Sequence, residues 1–226
     1  MPYSETAPEP LRDRKTAGER LGERLLHYRD QEPVVLALPR GGVPVAFEIA
    51  QRLGAPLDVL IVRKVGAPSN PEYGLGAVVE GGSRFLDEPR VRAAGYTVRD
   101  LSPTIAREVA EVDRRALEYR GGRPPLETRN RTVILVDDGV ATGGTVVAAL
   151  RAVRARAPRR IVLALGVAPP ETVESLRPEV DDLEVLLVPP VFFAVGEWYH
   201  QFSQVSDEEV RRLLARSRLS SKGPER

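Results

Sequence analysis

Residues 133–145 read VILVDDGVATGGT. Four apolar residues, Val133 to Val136, run straight into two adjacent acids, Asp137 and Asp138, and a Gly- and Thr-rich turn follows. An apolar run of this kind marks a strand buried on both faces. Neighbouring carboxylates repel each other, so the pair needs either abundant water or a partner that takes up its oxygens. The turn ATGGT supplies backbone N–H groups where a helix begins. Such a turn cradles a phosphate, because the amides point inward, the helix dipole favours an anion and glycines let the backbone approach closely. The acids upstream would repel that phosphate unless they faced another part of the same ligand. A ribose fits, since its vicinal hydroxyls are two donors for paired carboxylates and a bound divalent ion would relieve the remaining charge. The expectation is therefore a ribose 5-phosphate, with Asp137 and Asp138 on the sugar diol and Ala141, Thr142, Gly143, Gly144 and Thr145 on the phosphate. An acid pair or a glycine pair alone is ordinary in a solvated turn; the ordered combination carries the reading. A Walker A loop does not fit, because no lysine follows the second glycine.

Outward from this stretch, apolar segments alternate with helical patterns, which predicts a mostly parallel sheet flanked by helices. Strands are expected over 34–38, 57–62, 132–136, 160–167 and 184–188. Helices are expected over 14–29, 45–53, 102–120, 145–156, 171–176 and 207–218, with Ser102 and Ser206 as N-caps. The stretch RKVGAPSNPEYGLGAV, from Arg63, reads as a long polar Gly/Pro loop, and 76–100 as short strands and turns. The strand ends share one edge, where open α/β sheets bind ligands. The tail 219–226 should be loose.

Composition narrows the classes. At 226 residues the chain fits one large domain. Its net charge of +1, 33 basic against 32 acidic residues, gives no case for nucleic acid or a membrane surface. Even the basic run RAVRARAPRR reads as a solvated helix end. Cysteine is absent, which rules out disulfides and thiolate chemistry and favours a cytoplasmic location. No apolar run approaches the roughly 18 residues of a membrane span, and MPYSETAPEP lacks a signal-peptide pattern. His27 and His200 are isolated, so no zinc site and no protein-built metal cage is expected.

The stretch 133–145 resembles the signature of type I phosphoribosyltransferases, enzymes that use phosphoribosyl pyrophosphate (PRPP). LALPRGGVPVAFEIAQRL, residues 36–53, resembles that family's first strand, pyrophosphate loop and helix. The resemblance implies a type I phosphoribosyltransferase-like α/β fold over 1–226 with a small hood drawn from the N-terminal segment and 189–218. It leaves 85–130 as a helical insertion longer than a bare core requires. It places Arg40, Gly41 and Gly42 on pyrophosphate, an Arg for charge-assisted contact and glycines for exposed amides. Lys64, one of only three lysines, would touch pyrophosphate or phosphate beside a mobile loop at 65–76; Glu72 and Tyr73 on that loop are weaker candidates. In the hood, Phe192, Phe193, Trp198 and Tyr199 could stack on a flat acceptor, with Trp198 taken as the contact; core filling is the competing role.

The implied activity is transfer of the phosphoribosyl group from Mg²⁺–PRPP to a nitrogen nucleophile, a nucleobase or related acceptor, releasing pyrophosphate. Mg²⁺ would be bound mainly through PRPP, and Arg40, Lys64, Asp137 and Asp138 would form the catalytic set. A homodimer accords with the resemblance. In 6-oxopurine members the position of Ala141 is typically an Asp near the purine N7, so hypoxanthine, guanine and xanthine are expected to be poor substrates. A hood carboxylate such as Glu197 could in principle substitute for it. Two rivals stay open: a non-catalytic PRPP or nucleotide sensor on the same fold, and a hydrolase or ribosyl-phosphate isomerase, which would not need a pyrophosphate loop.

Overall fold

A computed structural model of the chain describes residues 8–221. Five parallel strands make the main sheet: β1 (Val34–Ala37), β2 (Leu57–Val59), β6 (Thr132–Asp137), β7 (Arg160–Val167) and β8 (Asp182–Leu187), in the order β2-β1-β6-β7-β8. Val35 lies opposite Leu57 on one side and Ile134 on the other, so β1 and β6 end side by side. The central strands are buried almost throughout, which is why they read as unbroken apolar runs.

Helices cover both faces. Val35, Ala37, Ile134, Val136, Val162 and Ala164 face a core shared with α1 (Arg14–Arg24), α2 (Gly42–Leu53), α4 (Ser102–Arg120) and α7 (Asp207–Ser221). Val34, Leu36, Val133, Leu135, Ile161 and Leu163 face the opposite core, with α5 (Gly144–Ala155) and α6 (Pro170–Leu176). The alternation follows from side chains pointing to opposite faces of each strand.

The expected strand over 57–62 is two strands. β2 stops at Val59, and the chain leaves the main sheet to begin β3 (Val62–Ala67). The expected long loop is a β-hairpin: β3 pairs antiparallel with β4 (Asn70–Val79), which pairs with β5 (Ser83–Leu86) in a second, three-stranded sheet. Glycine content hid these strands. A Cβ on Gly66 would lie 2.1 Å from the Pro71 carbonyl oxygen, and one on Gly76 would lie 2.3 Å from that of Phe85. Their strands approach too closely for side chains.

The segment 85–130 carries α3 (Glu88–Ala93) and α4. The α4 helix begins at Ser102 as expected, but Leu101 is the N-cap, with no side-chain bond; Ser206 does cap α7, accepting from the Glu209 amide at 3.1 Å. Arg120, at the end of α4, ties the two sheets together. It donates from Nε to both Asp58 carboxylate oxygens at 2.9 Å and from Nη2 to the Val59 carbonyl at 2.6 Å and Glu80 at 2.9 Å. Of the tail expected to be loose, 219–221 end α7 and the remainder lies outside the described residues. Among the described residues no helix is long and apolar enough to cross a membrane.

Candidate functional site

Because β1 and β6 end together, the PRGG turn and the acid pair meet. The peptide between Pro39 and Arg40 is cis, and Leu38 N–H donates to the Val136 carbonyl at 2.9 Å. A Cβ on Gly41 would lie 2.0 Å from Asp138 Oδ2, and one on Gly42 2.6 Å from the Val136 carbonyl oxygen. These glycines are required for the two turns to touch. That adds a packing reason to the anion-binding one for which the sequence suggested them.

Asp138 is only 8% exposed. Its Oδ2 accepts a hydrogen bond from Arg14 Nε at 2.7 Å, and its carbonyl accepts one from the Tyr199 hydroxyl at 2.5 Å. The Arg14 guanidinium also donates from Nη1 to the Ser203 carbonyl at 2.7 Å and lies 3.8 Å from the Phe202 ring centroid. Phe202 stacks on Tyr199 at 5.1 Å. Asp137 accepts from the Asp138 amide at 2.9 Å. Burial of its carboxyl, reinforced by the adjacent Asp138 charge, pushes its pKa well above the usual carboxylate range. Burial likewise raises the Tyr199 phenol, with Asp138 next in effect, so the phenol stays protonated and donates.

Beyond the acids, the Val140 amide donates to Val167 O at 2.9 Å, and Thr172 Oγ1 donates to the Ala141 carbonyl at 2.5 Å. These bonds hold the turn in place. Gly143 sits at φ +77°, a left-handed conformation suited to glycine, and α5 starts at the next residue. Ala141, Thr142, Gly144 and Thr145 are exposed. The first amides of a helix have no partners within it, so this turn can bind an anion.

Thr142, Gly144 and Thr145 form one wall of a cleft of ≈ 980 Å³. Lys64, Glu72 and Tyr73 of the hairpin, with Arg90 and Arg92 of α3, line it as well, together with Arg151 of α5. The sequence reading did not single out Arg90 and Arg92, and it set Arg151 on a solvated helix end, whereas Arg151 lines this cleft. Lys64 is held by its own hairpin, donating to the Glu72 carbonyl and lying 3.9 Å from the Glu72 carboxylate.

The other candidates sit apart from this cleft. Arg40 points to the start of α7, with Nη1 3.9 Å from Asp207 Oδ1, which also accepts from the Tyr119 hydroxyl. Trp198 packs, partly buried, against the main core, and its Nε1 is buried without a hydrogen-bond partner. Among the aromatics of the C-terminal segment, Tyr199 bonds the Asp138 carbonyl and Phe202 lies under Arg14, while Phe193 is 81% exposed. Arg14 and Phe202 were missed because neither lies in a local motif; the one signal was that paired carboxylates need a partner. Among the described residues, no group of three or more His, Cys, Asp or Glu is placed to hold a metal ion.

The family described as "Phosphoribosyl transferase domain" matches residues 14–184. Two Mycobacterium tuberculosis proteins named "Putative phosphoribosyl transferase", Rv0571c and MT0597, are each 42% identical over 205 residues, 91% of this chain. The chain spans 46% of the length of each of these relatives. The crystal structure of TT1426 from Thermus thermophilus is 47% identical, with a TM-score of 0.79, covering 92% of this chain and 98% of that one.

Proposed function

Since the chain belongs to the phosphoribosyl transferase domain family, we propose that it binds Mg²⁺–PRPP and transfers the phosphoribosyl group to a nitrogen nucleophile, releasing pyrophosphate. The observation that carries this reading is the shared edge of β1 and β6. There a glycine-packed PRGG turn abuts an acid pair, and a helix-opening turn with exposed Thr142, Gly144 and Thr145 follows that pair in the chain. Amides and hydroxyls of that turn take the 5-phosphate, and the acid pair takes the ribose diol. Arg40 and the neighbouring amides take the pyrophosphate.

In the reaction the nitrogen lone pair forms the N–C1′ bond while the C1′–O bond to pyrophosphate breaks. The bonding electrons leave on the pyrophosphate oxygen, and the nitrogen's proton passes to solvent. Positive charge develops on the ribose ring, so positioning and stabilisation of the leaving group do most of the catalysis. Mg²⁺ keeps several waters and uses few protein ligands beside substrate phosphates, so it asks for no protein-built cluster. Bound there, it would screen the pyrophosphate charge.

Ala141, with its carbonyl fixed by Thr172, has a methyl side chain and offers neither acid nor base. Hypoxanthine and guanine should therefore turn over at least about 10²-fold more slowly than a preferred acceptor. The test is pyrophosphate release from PRPP across nucleobases, orotate, amides and amines, with calorimetry of Mg²⁺–PRPP. Gly143→Val should remove binding of both ribose 5-phosphate and PRPP, while Arg40→Ala should spare ribose 5-phosphate. Absence of Mg²⁺–PRPP binding, or equal loss of both ligands in Arg40→Ala, overturns these assignments.

One observation favours a second reading as a PRPP sensor: the segment 65–76 is a paired hairpin, not the open loop that an enzyme closing over its substrate would suggest. Tight PRPP binding with no turnover on any acceptor would select it.

A further inference from the structure

Resting on the PRPP reading, the geometry points to Arg14 as a third member of the ribose site, a positioning residue that fixes Asp138 and offsets its charge so that the acid pair can accept an anionic sugar phosphate. Two adjacent carboxylates at a strand end would repel a ligand carrying phosphate at both ends of its ribose. Asp138 cannot rely on water to offset this, because it is 8% exposed and Gly41 packs against its Oδ2. Arg14 reaches it across 124 residues of sequence, Nε to Oδ2 at 2.7 Å, with both side chains nearly buried, at 12% and 11% exposure.

The arginine is itself held on three sides. The Asp138 carboxylate takes Nε, the Ser203 carbonyl takes Nη1 at 2.7 Å, and the Phe202 ring lies under the guanidinium plane at 3.8 Å. A planar guanidinium stacked and forked in this way has one orientation, so it positions where an ammonium would wander. Its backbone is fixed as well, because Arg14 is the first residue of α1, whose N-cap Asp13 accepts from the Thr16 amide at 2.7 Å. The Arg14 cation offsets the Asp138 charge, so the pair repels an anionic ligand less than two bare carboxylates would. Asp137 then supplies one acceptor, and Asp138 holds a fixed direction for the second hydroxyl.

Among the described residues, the titratable and charged groups acting on the pair are these. Arg14 comes from α1, the Tyr199 phenol comes from the C-terminal segment, and the two acids face each other. Gly41 and Gly42 of the facing turn bring no charge. Arg14 acts to lower the Asp137 pKa against burial and Asp138, which both raise it.

The test compares wild type, Arg14→Gln and Arg14→Lys in calorimetric titrations of Mg²⁺–PRPP and of Mg²⁺–pyrophosphate between about pH 5 and 8.5. Losing a charge-assisted hydrogen bond should weaken PRPP in Arg14→Gln by about 10-fold or more, while pyrophosphate affinity changes by less than about 2-fold. The acid limb of PRPP binding should move to higher pH in Arg14→Gln, and Arg14→Lys should restore the limb more than the affinity. A merely structural arginine would not move that limb. If Arg14→Gln fails to fold, Arg14→Lys, which keeps the cation but not the planar fork, serves instead. It should then bind PRPP more weakly than wild type while keeping pyrophosphate. A wild-type-like PRPP affinity and pH limb, or equal losses for PRPP and pyrophosphate, overturns the role of Arg14 while leaving the PRPP reading intact. A wild-type protein that ignores PRPP while remaining folded removes the parent reading, and this inference with it.

Discussion

In the five-stranded sheet, β6 carries Val133, Ile134, Leu135 and Val136, all fully buried, and neighbours β1 and β7 are equally apolar. In the three-stranded sheet, β4 carries Gly74 and Gly76 and its first residues are exposed. The large sheet is held by side chains filling two cores. The small one is held partly by backbone approaching backbone where glycine leaves room. Stability in the first should therefore depend on volume, and in the second on the absence of volume.

The largest effect should come from the joint between the two sheets. Arg120→Met leaves Asp58 and Glu80 without their shared cation, and removing one partner of a buried pair typically costs about 3–5 kcal/mol. Chemical denaturation should show it; a cost under about 1 kcal/mol would mean that the sheets do not depend on this joint. Gly66→Ala comes next, because its methyl would meet the Pro71 carbonyl at 2.1 Å. Overpacking of this kind costs about 1–3 kcal/mol. A neutral Gly66→Ala would break the contrast drawn between the sheets.

Asp137→Asn should act in the opposite direction. With the folded-state pKa raised by burial and by Asp138, the native protein binds more protons than the unfolded chain. Stability is therefore lost as pH rises from the unfolded value, about 3.9, through the raised native value. The variant should melt higher than wild type at pH 7.5, by about 2–4 °C for each kcal/mol recovered, with the gap closing near pH 4. A gap that widened on acidification would contradict the raised pKa. Tyr119→Phe should have the smallest effect, about 0.5–1.5 kcal/mol for the hydroxyl given to Asp207. It sharpens the comparison at the site itself: if Asp207 needs Tyr119 to hold Arg40, pyrophosphate affinity falls with it.

The same contrast explains what could be read from the sequence. β6 and β7 announce themselves as apolar runs, and α4 begins at Ser102–Pro103 as its sequence suggests. The turn around Gly143 could be placed because its order of residues is rare and its helix starts at the next position. The hairpin could not be read, because glycine, proline and charge mark a loop whenever side chains do not report the pairing. β2 ended early for a related reason: Leu60 and Ile61 are apolar and buried, yet lie between the sheets. Arg14 and Phe202 were illegible because their meaning depends on a partner far away in the chain. Trp198 packs against the main core, whereas Phe202 lies against the Arg14 guanidinium that holds Asp138.

Leu11 donates to the Trp198 carbonyl at 2.8 Å and accepts from the His200 amide at 2.8 Å, and the Gln201 amide donates to Arg12 O at 2.9 Å. This clasp joins opposite ends of the described chain, so it has a kinetic meaning. A ribosome releases the early residues long before it makes the later ones, and a loop of that span closes slowly relative to local helices. While Tyr199 is still unmade, β1, α2 and β6 can already assemble, leaving Asp138 without its phenolic and arginine partners locked in place. The clasp, and with it the final environment of the acid pair, should therefore form after the central strands have assembled.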